Sequence, residues 1–149
     1  MTPDSVLKTI NSTNFINGPQ VKNFQKHLES YLNVKHVIPC ANGTDALQIA
    51  LMAIGLKPGD EVITPNFTYA STVEVILLLG LTPVLVDIDI ESFNIDISAI
   101  ERAITKKTKA IIPDHLFAQP AFISEIINIA KENKIYVIED NSKSLGANY

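Results

Sequence analysis

The acidic pair Glu139-Asp140 follows directly on Ile135-Tyr-Val-Ile138, which places a carboxylate at the end of an apolar, largely β-branched run. Such a run reads as a strand covered on both faces. Open α/β sheets hold their ligands at the carboxyl ends of their strands. A carboxylate at that place can neutralise a metal ion, a basic side chain or a protonated ring nitrogen. A second signal is Asn42-Gly-Thr-Asp-Ala-Leu47, which joins a strand-like run to the start of a helical pattern. Gly43 permits close backbone approach, and free N–H groups with the Thr44 hydroxyl suit a phosphate dianion. The same residues also suit a plain helix cap by Asn42 or Thr44, and the pattern alone leaves both readings open. Asp45, in the first turn, suits the helix dipole and is expected to face away from any phosphate. Phe67-Thr-Tyr69 follows Pro65-Asn66, so an aromatic ring stands near that loop, able to stack on a flat heterocycle or simply to pack.

Other chemistries lack their residues. No G-x-x-x-x-G-K-[ST] occurs, and no G-x-G-x-x-G follows a strand, which removes the common mononucleotide and dinucleotide motifs. No Cys/His cluster has zinc spacing. His27 falls on the wet face of a helix, His36 has no partner near in sequence, and His115 reads as a satisfied structural histidine. Asp87 and Asp89 end a strand and read as solvated turn residues.

The elements that must position these groups alternate. After a polar, irregular opening through Asn17, Gly18-Pro19 starts a helix, with proline in the first turn, and Val21, Phe24, Leu28 and Leu32 recur at helical spacing. His36–Cys40 reads as a strand, Thr44–Ile54 as a helix, Gly55–Asp60 as a turn and Glu61–Thr64 as a strand. Ala70–Leu79 reads as a buried helix and Pro83–Val86 as a strand. Ser98-Ala-Ile-Glu101 has the form of a capping box opening a short helix. Lys109–Pro113 is a strand, Phe122–Glu132 an amphipathic helix, and Ile135–Ile138 the last strand. This alternation predicts an α/β fold, a three-layer αβα arrangement around a mostly parallel sheet.

Bulk properties agree with a globular chain. At 149 residues it is one domain's worth, able to bury roughly 70% of its unfolded surface. A net charge of −4 argues against nucleic acid or an anionic membrane as the main partner. No apolar run approaches the roughly 20 residues a bilayer needs, and no secretory signal opens the chain. The single cysteine, Cys40, lies in the strand-like run and is expected to be a buried, inert thiol in a reducing, cytoplasmic setting.

Taken in order, eight segments resemble the DegT/DnrJ/EryC1/StrS aminotransferase family: Phe15-Ile-Asn-Gly-Pro19, Asn42–Leu47, Gly59-Asp-Glu-Val-Ile-Thr-Pro65, Phe67-Thr-Tyr69, Thr82-Pro-Val84 with Val86-Asp-Ile-Asp89, Phe93-Asn-Ile-Asp96, His115-Leu-Phe-Ala-Gln-Pro120 and Val137-Ile-Glu-Asp140. The resemblance runs from about Phe15 to Tyr149 and covers well under half of a complete family member. It implies the large domain of a fold type I transferase dependent on pyridoxal 5'-phosphate, with residues 1–17 as an N-terminal segment and 18–149 as the first part of that domain. Carried onto matching positions, Gly43 and Thr44 bind the cofactor phosphate, Tyr69 stacks on the pyridine ring, and Asp140 keeps the ring nitrogen protonated. Such a ring withdraws electrons from the carbanion formed when the substrate's α-proton leaves. The implied reaction is amino transfer, usually from glutamate, to a keto group on a nucleotide-linked sugar destined for surface polysaccharide, lipopolysaccharide or glycosylated natural products. The implied assembly is a homodimer with sites at the subunit interface.

Three departures stand beside the resemblance. Family enzymes hold the cofactor as a Schiff base on a lysine C-terminal to the Asp140 strand, so that anchor is expected beyond Tyr149 and no catalytic residue is assigned in this chain. Lys143 stands where the family usually has Gln or His on the cofactor's face; it counts as a cofactor contact and not as a replacement anchor. Ala118 stands where the family commonly has Gly, and strains or shifts the loop after His115. The chain is therefore expected to be either the first portion of a working sugar aminotransferase or a catalytically inactive remnant. A dehydratase branch, which replaces the lysine with histidine, stays open. On its own the chain is expected to be weakly stable or self-associating, because its sheet stops at an open edge.

Overall fold

The structure, a computed structural model, describes residues 2–147, which fall into two compact units meeting in sequence between Cys40 and Ala41.

The first unit is helical. The opening segment, expected to be irregular, forms α1, Pro3–Ser12. Its start signals are ordinary ones: proline in the first turn and Asp4 beside the positive end of the helix dipole. Val6 and Ile10 then share a face at a four-residue spacing. As expected, Pro19 begins the second helix, α2, Pro19–Leu32, with Gly18 as its N-cap. A Cβ at Gly18 would collide with the Asn14 carbonyl oxygen, so close approach requires glycine there. Neither helix fully buries a residue.

Two expectations fail at residues 36–40. They form no strand, and Cys40 is exposed. An apolar, β-branched run makes a strand only where a ladder partner exists, and Pro39 withdraws a donor from any ladder.

The second unit is an α/β sandwich. Its elements are α3, Gly43–Ala53; β1, Glu61–Pro65; α4, Ala70–Leu78; β2, Thr82–Val86; α5, Ile97–Ala103; β3, Thr108–Ile111; α6, Ile123–Asn133; and β4, Tyr136–Val137. The four strands are all parallel in the order β2-β1-β3-β4. Successive strand residues point to opposite faces, and the core divides accordingly. Val62, Ala110 and Ile112 pack with Leu47 and Leu51 of α3 and Val75 and Ile76 of α4. Ile63, Val86 and Ile111 pack with Ala99 and Ile100 of α5 and Ile123, Ile126 and Ile129 of α6. Helices thus cover both faces, the three-layer arrangement the alternation predicts. Ile63, Ile76, Ile100, Ile111 and Ile126 are fully buried, each contributing about 1.5–3 kcal/mol by leaving water.

Three local expectations need correction. α4 is not buried all round: Thr72, Val75 and Ile76 face inward while Leu77 and Leu78 are exposed. The cap of α5 is Asp96 rather than Ser98, because the Asp96 carboxylate accepts from the Ser98 N–H at 2.9 Å and so satisfies an orphan donor of the first turn. β4 is not covered on both faces: Ile135 joins the core against α5 and α6, but Tyr136 is 55% exposed. Among the described residues no helix is long and apolar enough to cross a membrane.

Candidate functional site

The connections leaving β1 and β3 turn to opposite faces, toward α4 and α6 respectively. This divergence opens a crevice at the carboxyl ends of two neighbouring strands, the usual ligand position of an open α/β sheet. A cleft of about 300 Å³ lies there. Gly43, Thr44, Tyr69, Asp140 and Lys143, separated along the chain by up to a hundred positions, all line it.

One wall is the N-terminus of α3. The first N–H groups of a helix have no intrahelical acceptor. Asn42 caps one of them, its side-chain oxygen accepting from the Asp45 N–H at 2.9 Å. The Asp45 carboxylate in turn accepts from the Asn42 amide nitrogen at 3.2 Å and does not line the cleft. The capping and anion-binding readings of this loop therefore coexist, since Asn42 serves the cap while Gly43 and Thr44 face the cleft. A Cβ on Gly43 would lie 3.3 Å from Ser142 Oγ, so glycine lets the helix terminus approach the loop after β4.

The floor is acidic. The register that pairs Ala110 with Tyr136 and Ile111 with Val137 continues to a bridge between Asp114 and Asp140. Both side chains are buried, at 4% and 8% exposure, and both line the cleft. Asp140 Oδ1 accepts from the Ser142 N–H at 3.2 Å and from Ser142 Oγ at 2.5 Å. Asp114 Oδ2 accepts from Thr68 Oγ1 at 2.9 Å. Burial pushes the Asp114 carboxyl above its ordinary value; the Thr68 hydrogen bond opposes that, and the Asp140 charge adds to it. Lys143 also acts on Asp114 electrostatically and favours its charged form. The Lys143 ammonium sits 6.0 Å from the centre of the Tyr69 ring, within reach of a cation–π attraction. Among the described residues it has no carboxylate within ion-pair distance.

His115 fastens this floor together. Its ring is 2% exposed, and Nδ1 accepts from the Ala121 N–H at 3.0 Å. The ring proton therefore resides on Nε2 and is donated to Glu139 Oε2 at 2.9 Å. His115 is satisfied on both sides, the structural role expected of it, and Glu139 is its partner. Asp89 is a solvated turn residue, also as expected, its carboxyl lowered by hydrogen bonds from the Ser92 N–H and hydroxyl. Phe117 and Ala118 both take the left-handed conformation, at φ 55° and 63°. A glycine would adopt that conformation without cost, so Ala118 strains the loop.

Asp114, Ser142, Ser71 and Leu47 are the cleft residues to which sequence reasoning gave no site role. A signal for Asp114 did exist: it stands as far past the end of β3 as Asp140 stands past the end of β4, on a neighbouring strand. Ser142 carried no motif of its own. No group of three or more metal-ligating side chains forms among the described residues. The donor set instead suits a ligand with an anionic group at one end and a protonated heteroaromatic nitrogen at the other: N–H donors and helix-dipole charge at α3, an aromatic face at Tyr69, and a buried, oriented carboxylate at Asp140.

Comparison with known proteins agrees with this geometry. The model of the DegT/DnrJ/EryC1/StrS aminotransferase family matches residues 2–149. The chain is similar to UDP-2-acetamido-2-deoxy-3-oxo-D-glucuronate aminotransferase of Pseudomonas aeruginosa, 48% identical over 97% of this chain and 40% of that protein. It is also similar to GDP-perosamine synthase of Caulobacter vibrioides, 42% identical over 98% of this chain and 40% of that protein. Its fold matches the crystal structure of NtdA from Bacillus subtilis with bound cofactor PMP, with a TM-score of 0.92 at 38% identity over 98% of this chain and 35% of the other. The chain spans about 40% of the length of the curated relatives it matches.

Proposed function

The chain belongs to the DegT/DnrJ/EryC1/StrS aminotransferase family, and from that premise we propose that its cleft is the cofactor site of a pyridoxal phosphate-dependent aminotransferase acting on a nucleotide-linked keto sugar. The reading includes glutamate as amino donor, a cytoplasmic homodimer as the working form, and amino sugars for surface polysaccharide as the product. The observation that carries it is the convergence of Gly43, Thr44, Tyr69, Asp140 and Lys143 on one cleft at the carboxyl edge of a parallel sheet.

Pyridoxal phosphate, when bound, supplies an electron sink for the carbanion left as an α-proton departs. The residues of this chain provide the conditions for that chemistry. Gly43 and Thr44 hold the phosphate with backbone N–H groups at the positive end of α3. Tyr69, on the cleft wall, would offer its ring for stacking on the flat heterocycle. Asp140 keeps the proton on the ring nitrogen, and Ser142, donating twice to Oδ1, fixes the direction of that carboxylate. Burial of Asp114 and Asp140 keeps bulk water from the same edge. Lys143, which lines the same cleft, would contact the cofactor without serving as its covalent anchor.

Titration calorimetry with pyridoxamine phosphate tests the reading, because that form has no aldehyde to react with surface lysines. Saturable binding of one molecule per chain, weakened by Asp140→Asn, is the expected result. Absence of saturation at millimolar ligand would overturn it.

A further inference from the structure

Asp114 stands outside the segments that carry the family resemblance, yet the fold sets it beside Asp140. The two residues are bridged across neighbouring parallel strands. The Asp140 N–H donates to the Pro113 carbonyl at 2.9 Å, and the His115 N–H to the Asp140 carbonyl at 3.1 Å. Paired residues of adjacent strands project to the same face of a sheet, about 4.8 Å apart. Both carboxyls are accordingly buried and line one cleft. Each has one oxygen engaged, Asp114 Oδ2 by Thr68 and Asp140 Oδ1 by Ser142. Among the described residues no hydrogen bond reaches the other oxygen of either. Burial is the largest influence on Asp114 and, with the Asp140 charge, favours its protonated form; Thr68, Lys143 and His115 oppose them. Tyr69 lines the same cleft, and Glu139 is held by the His115 ring.

We propose that Asp114 is a second counter-charge for the cofactor ring, which gives up its proton when a cationic ring nitrogen comes to lie against Asp140. The inference rests on the cofactor reading above and gives Asp114 a part in it beyond burial. Charge balance carries it. In the pH window where the buried acid is still protonated, neutral Asp114, anionic Asp140 and cationic Lys143 sum to zero. A ring cation alone would leave one positive charge in excess on this floor, and loss of the Asp114 proton restores zero. In that step the Asp114 O–H bond breaks, its electron pair stays on the carboxylate, and the proton passes to solvent water. Above the window Asp114 is already ionised and attracts the ring directly. A cation within about 4–6 Å makes a carboxyl roughly tenfold or more easier to ionise. By linkage, ionised Asp114 tightens binding of the ring by the same factor.

Calorimetric titration of the full chain with pyridoxamine phosphate, in two buffers of different ionisation enthalpy, counts the protons released on binding. Asp114→Asn serves as the reference, since it subtracts the titration of the ligand itself and of every other group. The parent chain is expected to release up to one proton more per ligand than Asp114→Asn within the window. Its affinity is expected to gain about tenfold over that variant's from acid to neutral pH. Thr68→Val removes the hydrogen bond that favours ionised Asp114 and is expected to carry the release to higher pH. Should Asp114→Asn fail to fold, Thr68→Val decides alone, because it moves the release only if Asp114 is its source. Equal proton counts and parallel affinity curves in the parent and Asp114→Asn overturn the inference and leave the cofactor reading standing. Tighter binding by Asp114→Asn at neutral pH overturns it as well. A parent chain that binds no pyridoxamine phosphate sinks the cofactor reading itself, and the inference with it.

Discussion

At the amino edge of the sheet, Glu61 opens β1, and its carboxylate accepts from Thr105 Oγ1 at 2.5 Å and Thr108 Oγ1 at 3.4 Å. Thr108 Oγ1 also accepts from the Thr105 N–H at 2.9 Å, and Thr105 Oγ1 from the Lys107 N–H at 3.0 Å. The acid and the hydroxyls of that edge are turned on one another and close the loop before β3. At the carboxyl edge of the same sheet, Asp114 accepts from the Thr68 hydroxyl and Asp140 from the Ser142 hydroxyl and N–H, and both line a cleft. One edge uses its polar groups to finish the fold, while the other keeps acceptor capacity directed at a ligand. Parallel strands thus impose a polarity on function: the end to which the chain arrives closes the structure, and the end from which it departs is free for chemistry.

The sharpest way to break this comparison is to exchange the consequences of the two ends. Asp140→Asn keeps the shape and the Ser142 contacts but removes the charge. It is expected to weaken pyridoxamine phosphate by about 30-fold or more, the lower end of what loss of a buried charge pair costs, with little change in the melting curve. Thr108→Val at the other edge is expected to cost about 1–2 kcal/mol of stability in urea unfolding, with cofactor affinity unchanged. If both variants lost stability and affinity alike, the division between the edges would be wrong. Gly43→Ala probes the carboxyl edge more gently. The added methyl presses on Ser142 Oγ, and cofactor affinity is expected to fall about fivefold, roughly 1 kcal/mol, in calorimetry. An unchanged affinity would mean that the approach of α3 to the loop after β4 plays no part in phosphate binding.

The smallest effect concerns pH. Asp114 holds its proton in the folded chain to a higher pH than in the unfolded chain, mainly because it is buried. The folded state then binds more protons between the ordinary value of 3.8 and the raised one, so stability falls as pH rises through that window and levels off above it. Asp114→Asn, which can still accept from Thr68, is expected to flatten that fall and to be the more stable chain at neutral pH. Unfolding curves of both chains from pH 3 upward check the sign.

Much of the architecture was legible. Val62-Ile63 and Ala110-Ile111-Ile112 are runs that only a sheet covered on both faces can bury, and Leu47 with Leu51 marks the inward face of α3 at helical spacing. What could not be read depended on partners. Val37-Ile38 is an apolar, β-branched pair of strand type, yet a ladder needs a second strand, and residues 36–40 take no strand conformation. Tyr136 reads as interior because its neighbours are apolar, although only the surrounding layers decide whether a face is covered. Within the cleft, Gly43, Thr44, Tyr69, Asp140 and Lys143 were legible because ordered motifs carry them. Asp114 was not, since its meaning comes from a register with β4 that no local pattern expresses. The cap of α5 was misplaced for a simpler reason: Asp96 and Ser98 both suit an N-cap, and only the backbone at Asp96, still extended at ψ 123°, tells them apart.

The double bond-making of His115 has a consequence measurable in time. Its ring accepts the amide hydrogen of Ala121, itself buried, while gripping Glu139 beside Asp140. That hydrogen can exchange with solvent deuterium only when the ring swings away. The deuteration rate at residue 121 therefore counts how often the acidic floor comes undone, and a ligand that locks the floor would slow this one amide while leaving the exposed amides of α1 as they were.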